Sequence, residues 1–216
     1  MLLIADKSRN FNITKVKVSN VQSPQNSLLI WRGGRLTVRE LEVSGSQFQS
    51  VVGSATTPDT LSHSLVLEDV KITSSECGTC FSVENVNAYE FSLKNRDASL
   101  FYYDFLNIAD TFLTFKQTPN YAVHSIENVT LSNITPSISS SIVMLYSTKA
   151  GAYDIKNLRL YSRPQFDGGQ LLQLHSSYPT QFASQGLVLY NVDASANQVR
   201  IQPILLSGAY IQATFS

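Results

Sequence analysis

Glu40 and Asp69 stand 29 residues apart and hold the same place in two copies of one recurring pattern. Two carboxyl groups within about 10 Å can hydrolyse a glycosidic bond, one donating a proton while the other activates water. If the copies are successive turns of a stack, these two lie about 4.8 Å apart. The next copies break the series. Asn128, Asn157 and Asn191 fill the equivalent place and do not titrate, and Asp167-Gly168-Gly169 sits in a loop-like stretch with no matching acid. No paired acid site is complete, no residue is assigned a catalytic role, and a non-enzymatic role is the expectation.

The two cysteines form a single Cys77-Gly78-Thr79-Cys80. Redox chemistry on such a motif needs a helix N-terminus to stabilise the thiolate, and the flanks here read as loop followed by strand. The expectation is a local disulfide between Cys77 and Cys80 closing a loop, with two free thiols as the alternative. A zinc site would need two more ligands at suitable spacing. His63, His124 and His175 lie in separate turns and read as ordinary polar residues, so no metal and no cofactor is expected.

Three Asn-x-Thr triplets carry the most definite surface chemistry: Asn12-Ile13-Thr14, Asn128-Val129-Thr130 and Asn133-Ile134-Thr135. Each is an N-glycan acceptor if the chain is secreted by a eukaryotic cell. Strand alternation points Asn12 and Asn128 outward. Pro136, just after the third triplet, makes Asn133 the weaker acceptor.

The elements that carry these residues follow from one repeat. Ile126-Glu-Asn-Val-Thr-Leu-Ser-Asn-Ile134 is its clearest copy, and Val18, Val43, Ile72, Leu131, Leu160 and Ala194 close successive copies at intervals of 25, 29, 59, 29 and 34 residues. The long interval is two turns with one degenerate copy between, inside an aromatic-rich region from Tyr89 to Phe115. Tyr102 and Tyr103 cannot both face inward from one strand, so one of them is a surface residue. Most copies read apolar, x, apolar, x, x, apolar, x, apolar, as in Leu36-Thr-Val38-Arg-Glu-Leu41-Glu-Val43. Two strands joined by a one-residue bend produce this, because the bend resets which side chains face inward. The bend residues are Lys15, Glu40, Asp69, Asn128, Asn157 and Asn191.

A further apolar segment after each copy supplies a third strand per turn, and Ser/Gly/Pro-rich loops connect the turns. No segment shows sustained 3.6-residue periodicity. The chain is therefore expected to be all-β, a β-helix of about seven or eight turns of 25–34 residues forming a single domain over 1–216. The Ala-Tyr pairs at Ala88-Tyr89, Ala152-Tyr153 and Ala209-Tyr210 read as a second ladder with a period of two turns. Both ends open inside strand pattern. A fragment of a longer solenoid, or a subunit pairing with like chains end to end or side to side, is expected from this.

Composition narrows the function. The 16 basic and 16 acidic residues cancel, which argues against a nucleic-acid partner, since phosphate binding needs an excess of Lys and Arg on one face. No apolar run approaches the ~18 residues of a membrane span, and no targeting signal is visible at the start.

These copies, with Asn and Ser at the corners, resemble the right-handed parallel β-helix of the pectin-lyase-like superfamily. More narrowly, they resemble the large repetitive cell-surface β-helix proteins of protists and bacteria. The resemblance covers roughly Leu2 to Ser216 and implies architecture more than activity, because this fold carries lyases, hydrolases, adhesins and inert stalks alike. Its enzymes place acids for Ca²⁺ with an arginine base, or grouped aspartates, on one outer strand face. The Asn-x-Asp, Asp-Asp and His-Gly signatures of that family are missing here. The expected function is an extracellular or cell-surface structural or adhesive module that builds a rigid rod. Like chains are its main partners, and glycans are candidate ligands. The alternative is a polysaccharide-binding or polysaccharide-degrading β-helix.

Overall fold

The computed structural model describes residues 3–5, 10–55, 63–84, 88–97, 102–117, 122–132, 135–136, 143–147, 151–161, 172–176, 180–185, 188–190, 204–208 and 211–215. Among them there is no helix, and every strand pairing is parallel. The strands lie on three faces of a winding ribbon, each turn pairing with the one before and the one after.

The first face stacks Asn10–Ser19, Arg35–Ser44, His63–Glu68, Ala88–Lys94, Ala122–Ser132 and Gly151–Tyr161. The second face is built by the latter halves of Asn10–Ser19, Arg35–Ser44, Ala122–Ser132 and Gly151–Tyr161 and by the opening residues of Lys71–Val83 and Tyr103–Gln117, where Val18, Val43, Ile72, Tyr103, Leu131 and Leu160 pair in succession. Tyr103 is the copy missing from the long sequence interval. The third face stacks Gln22–Trp31, Gln47–Ser54, Lys71–Val83, Tyr103–Gln117 and Val143–Ser147.

Alternation along each strand sends like residues to like places. Ile13, Val38, Leu67, Leu93, Ile126 and Ile155 form one inner column, and Leu29, Val52, Phe81, Leu113 and Val143 form another. From Val38 and Val52 onward these residues are at most 3% exposed, and burying each such side chain contributes about 1.5–3 kcal/mol. The aromatic region supplies wide rungs. Phe112 lies 5.3 Å from Phe81 and 4.7 Å from Tyr103, both edge-on, the arrangement that the ring quadrupoles favour.

Two expectations need correction. About four turns, from Phe11 through Leu36, Leu65 and Phe91 to His124, are described nearly from corner to corner, fewer than the seven or eight expected. Beyond Ser132 the ladder is described as separate strand pairings. The Ala-Tyr ladder also fails in register. Phe91, not Tyr89, pairs with His124, and His124 pairs with Tyr153. The unequal loops between turns shift the start of each strand, so similar triplets at strand starts do not share a rung.

Candidate functional site

One column of corners gathers most of the residues that could do chemistry. At the bend between the first and second faces, Lys15, Glu40, Asp69, Asn128 and Asn157 all have left-handed backbone, with φ between 53° and 58°. One left-handed residue turns the strand and resets the alternation, which is why the sequence shows two adjacent outward positions there. The conformation costs an ordinary L-residue about 1–2 kcal/mol and asparagine less, so the asparagines suit their place. A second column of left-handed corners, Asn20, Gly45 and Ser74, separates the second and third faces. A Cβ added to Gly45 would stand 2.7 Å from Asn20 Oδ1, so a larger residue would have to displace the Asn20 side chain and hold a backbone that glycine adopts freely.

The asparagines are linked from turn to turn. Asn128 Nδ2 donates to the Asn95 carbonyl at 2.9 Å, Asn95 Nδ2 donates to the Asn128 carbonyl at 3.0 Å, and Asn157 Nδ2 donates to Asn128 Oδ1 at 2.8 Å. Asn95 has no left-handed φ and begins the longer connection to Tyr102, yet it fills the same column. These amides satisfy the backbone groups that the bend takes out of the strand ladder.

The acidic end of the column is organised by Arg96, a residue that sequence reasoning missed. Its Nη2 meets Glu40 Oε1 at 3.1 Å, its Nε meets Asp69 Oδ2 at 2.7 Å, and its backbone N–H donates to Asp69 Oδ1 at 2.8 Å. The Tyr102 hydroxyl donates to the same Asp69 oxygen at 3.4 Å. Asp69 charge, then the Glu40 hydrogen bond, push the guanidinium upward, and burial followed by the Asp69 charge pushes the Tyr102 hydroxyl upward. Glu40 and Asp69 do stack as the sequence suggested. Their oxygens, however, are engaged by Arg96, and those of Asp69 by Tyr102 as well, instead of facing a shared proton. Around them lies an open groove of about 400 Å³ lined by Glu40, Glu42, Asp69, Lys71, Arg96 and Tyr102. Tyr102 is its aromatic wall, whereas Tyr103 is fully buried.

Beside the corners runs an alternation of charge that is readable only once the register is known. Thr14, Arg39, Glu68, Lys94, Glu127 and Lys156 pair in succession on the first face. Arg39 bridges Glu68, and Lys94 Nζ lies 3.7 Å from Glu127. A shorter column, Lys17, Glu42 and Lys71, repeats it across the corner, with Lys17 Nζ 2.8 Å from Glu42. The Lys17 hydrogen bond lowers the Glu42 carboxyl. Exposed pairs such as these add little, because water and salt screen them. Alternating signs nevertheless make a slipped register put like charges together.

The remaining candidates are placed as follows. Asn12 is exposed on the first face. Asn128 is half-buried with both ends of its amide engaged in the corner column. Asn133 lies outside the described residues. Cys77 and Cys80 are disulfide-bonded with Cα atoms 5.2 Å apart, and both are buried. They sit within the strand Lys71–Val83, at a register shift against the next turn, not in a loop. A Cβ at Gly78 would meet Gln49 Nε2 at 2.8 Å, so the neighbouring turn lies close against the segment between the two cysteines.

The histidines depart most from expectation. His63 is 1% exposed, and its Nδ1 accepts a 2.8 Å hydrogen bond from Gly34 N–H. Gly33, with φ 105°, passes beneath its ring, where a Cβ would approach Cε1 to 2.8 Å. His124 is 2% exposed inside the core. The His175 side chain lies outside the described residues. Both described rings occupy inward positions of their strands, and burial overrides the polarity that suggested a surface.

Among the described residues no group of three or more His, Cys, Asp or Glu is arranged to hold a metal ion, and no helix is long and apolar enough to cross a membrane. Comparison with known families, curated proteins and solved structures gives no match. The class rests on geometry: the chain is a parallel β-solenoid.

Proposed function

We propose that this solenoid is an extracellular structural or adhesive module, a stiff rod that pairs with like chains through its strand edges and displays its loops and any glycans outward. It is closest in style to the right-handed, pectin-lyase-like cell-surface β-helices. The observation that supports this reading most is the use made of its polar side chains. Asn95, Asn128, Asn157, Glu40, Asp69 and Arg96 are spent on tying one turn to the next, as a chain selected for stiffness along its axis requires. Sedimentation and electron microscopy of the purified chain test it. Concentration-dependent rods or filaments are the expected result. A compact monomer at every concentration, with no affinity for cell or matrix surfaces, would overturn it.

A second reading, a polysaccharide-binding or polysaccharide-cleaving β-helix, draws support from the groove in which Tyr102 stands beside carboxylates. Binding suits that groove better than cleavage, because Arg96 engages both stacked acids. Saturable binding of a glycan that Tyr102→Ala abolishes would promote this reading over the first.

A further inference from the structure

We propose that His124 makes this solenoid acid-sensitive: mild acid opens the turns that carry and cover His124 while the earlier turns stay closed. His124 occupies an inner column whose other members are Phe11, Leu36, Leu65, Phe91 and Tyr153. Its ring centroid lies 4.2 Å from that of Phe115 and 5.2 Å from that of Tyr153. Neither ring nitrogen has a hydrogen-bond partner. An imidazolium would bring a full charge and two N–H donors into a space that offers them no acceptor, a state far costlier than the neutral ring.

The groups facing it sharpen the point. Phe91 faces it from the turn before, Phe115 from the third face and Tyr153 from the turn after. Of these only Tyr153 carries a titratable group, its phenol. Glu90 is exposed. Lys94, Glu127, Asp154 and Lys156 are on the outer face, with side chains 38–44% exposed. Burial alone lowers His124 to about 3. The sign follows. A base depressed in the folded state contributes its full stability above its ordinary pKa of about 6.5 and loses it as pH falls from there toward 3. Protons thus favour any opening that wets the ring. Between pH ~7.5 and pH ~5, where ordinary carboxylates are still ionised, the open population rises by about thirty-fold.

Hydrogen exchange of the full chain at these two pH values, scaled for intrinsic rates, tests the proposal. Protection across Ala122–Ser132 and Gly151–Tyr161 should fall by about thirty-fold at the lower pH while Gln47–Ser54, whose partner strands carry no histidine, holds its own. His124→Phe and His124→Leu, which copy neighbouring rungs, should abolish the fall. The proposal is overturned if wild-type protection is the same at both values, or if a folded variant keeps the whole effect. Should both variants fail to fold, an NMR titration of wild-type His124 decides: a ring still neutral at pH ~5 in the folded chain supports the proposal, and one that is protonated there overturns it.

Discussion

Replacing Asn128 by alanine tests the corner column most directly. The side chain makes two hydrogen bonds, Nδ2 to the Asn95 carbonyl at 2.9 Å and Oδ1 from Asn157 Nδ2 at 2.8 Å. Each is worth about 0.5–1.5 kcal/mol net, so the loss is about 1–3 kcal/mol. Alanine must also adopt φ of 56°, which costs about 1 kcal/mol more than asparagine pays. Asn128→Ala is therefore expected to destabilise the chain by about 2–4 kcal/mol. Glycine removes the hydrogen bonds without the backbone strain, so Asn128→Gly should be about 1 kcal/mol more stable than Asn128→Ala. Asn157→Ala removes one bond of the pair but also puts alanine at φ of 54°, so it should cost about 1.5–2.5 kcal/mol, less than Asn128→Ala. Urea unfolding followed by far-ultraviolet circular dichroism, which reads every turn, measures all three. Protein from a bacterial host keeps glycans out of the comparison. An alanine variant within about 0.5 kcal/mol of wild type, or a glycine variant less stable than the alanine one, would refute the account of the corner.

Other outcomes follow from the same geometry. Glu68→Lys places a third positive charge between Arg39 and Lys94 and should cost about 1 kcal/mol at low salt, shrinking toward zero near 1 M salt where the Debye length is about 3 Å; a cost that ignores salt would count against the charge column. Secretion from a eukaryotic host should add a glycan at exposed Asn12 that Asn12→Gln removes, with Asn128 modified less because its amide is already engaged; mass spectrometry of the glycopeptides reads both. Alkylation of the denatured chain should label neither Cys77 nor Cys80 until a reductant is added, and quantitative labelling without reductant would exclude the bridge.

Much of this was legible in the chain. The one-residue bends at Lys15, Glu40, Asp69, Asn128 and Asn157 were visible because a single left-handed residue leaves a two-residue gap in an otherwise strict alternation. Tyr102 and Tyr103 were legible as an inside–outside pair for the same reason. The groove was not. Arg96 reaches Glu40 across 56 positions, a contact that no local pattern shows. The charge alternation of Arg39, Glu68, Lys94, Glu127 and Lys156 was present in the sequence at unequal spacings, and unequal spacings conceal a column until the loops are assigned.

What the sequence by itself determined was the ribbon: short alternating strands, the place of the bends and, among the described residues, the absence of helix. These depend on side-chain period and local backbone preference, which act over a few residues. What only the tertiary structure decided was company. It placed His124 among aromatic rings, tied two stacked acids to Arg96 and gave the Asn128 amide to its neighbours in the column, because contacts between turns depend on loop lengths and register that no local pattern encodes.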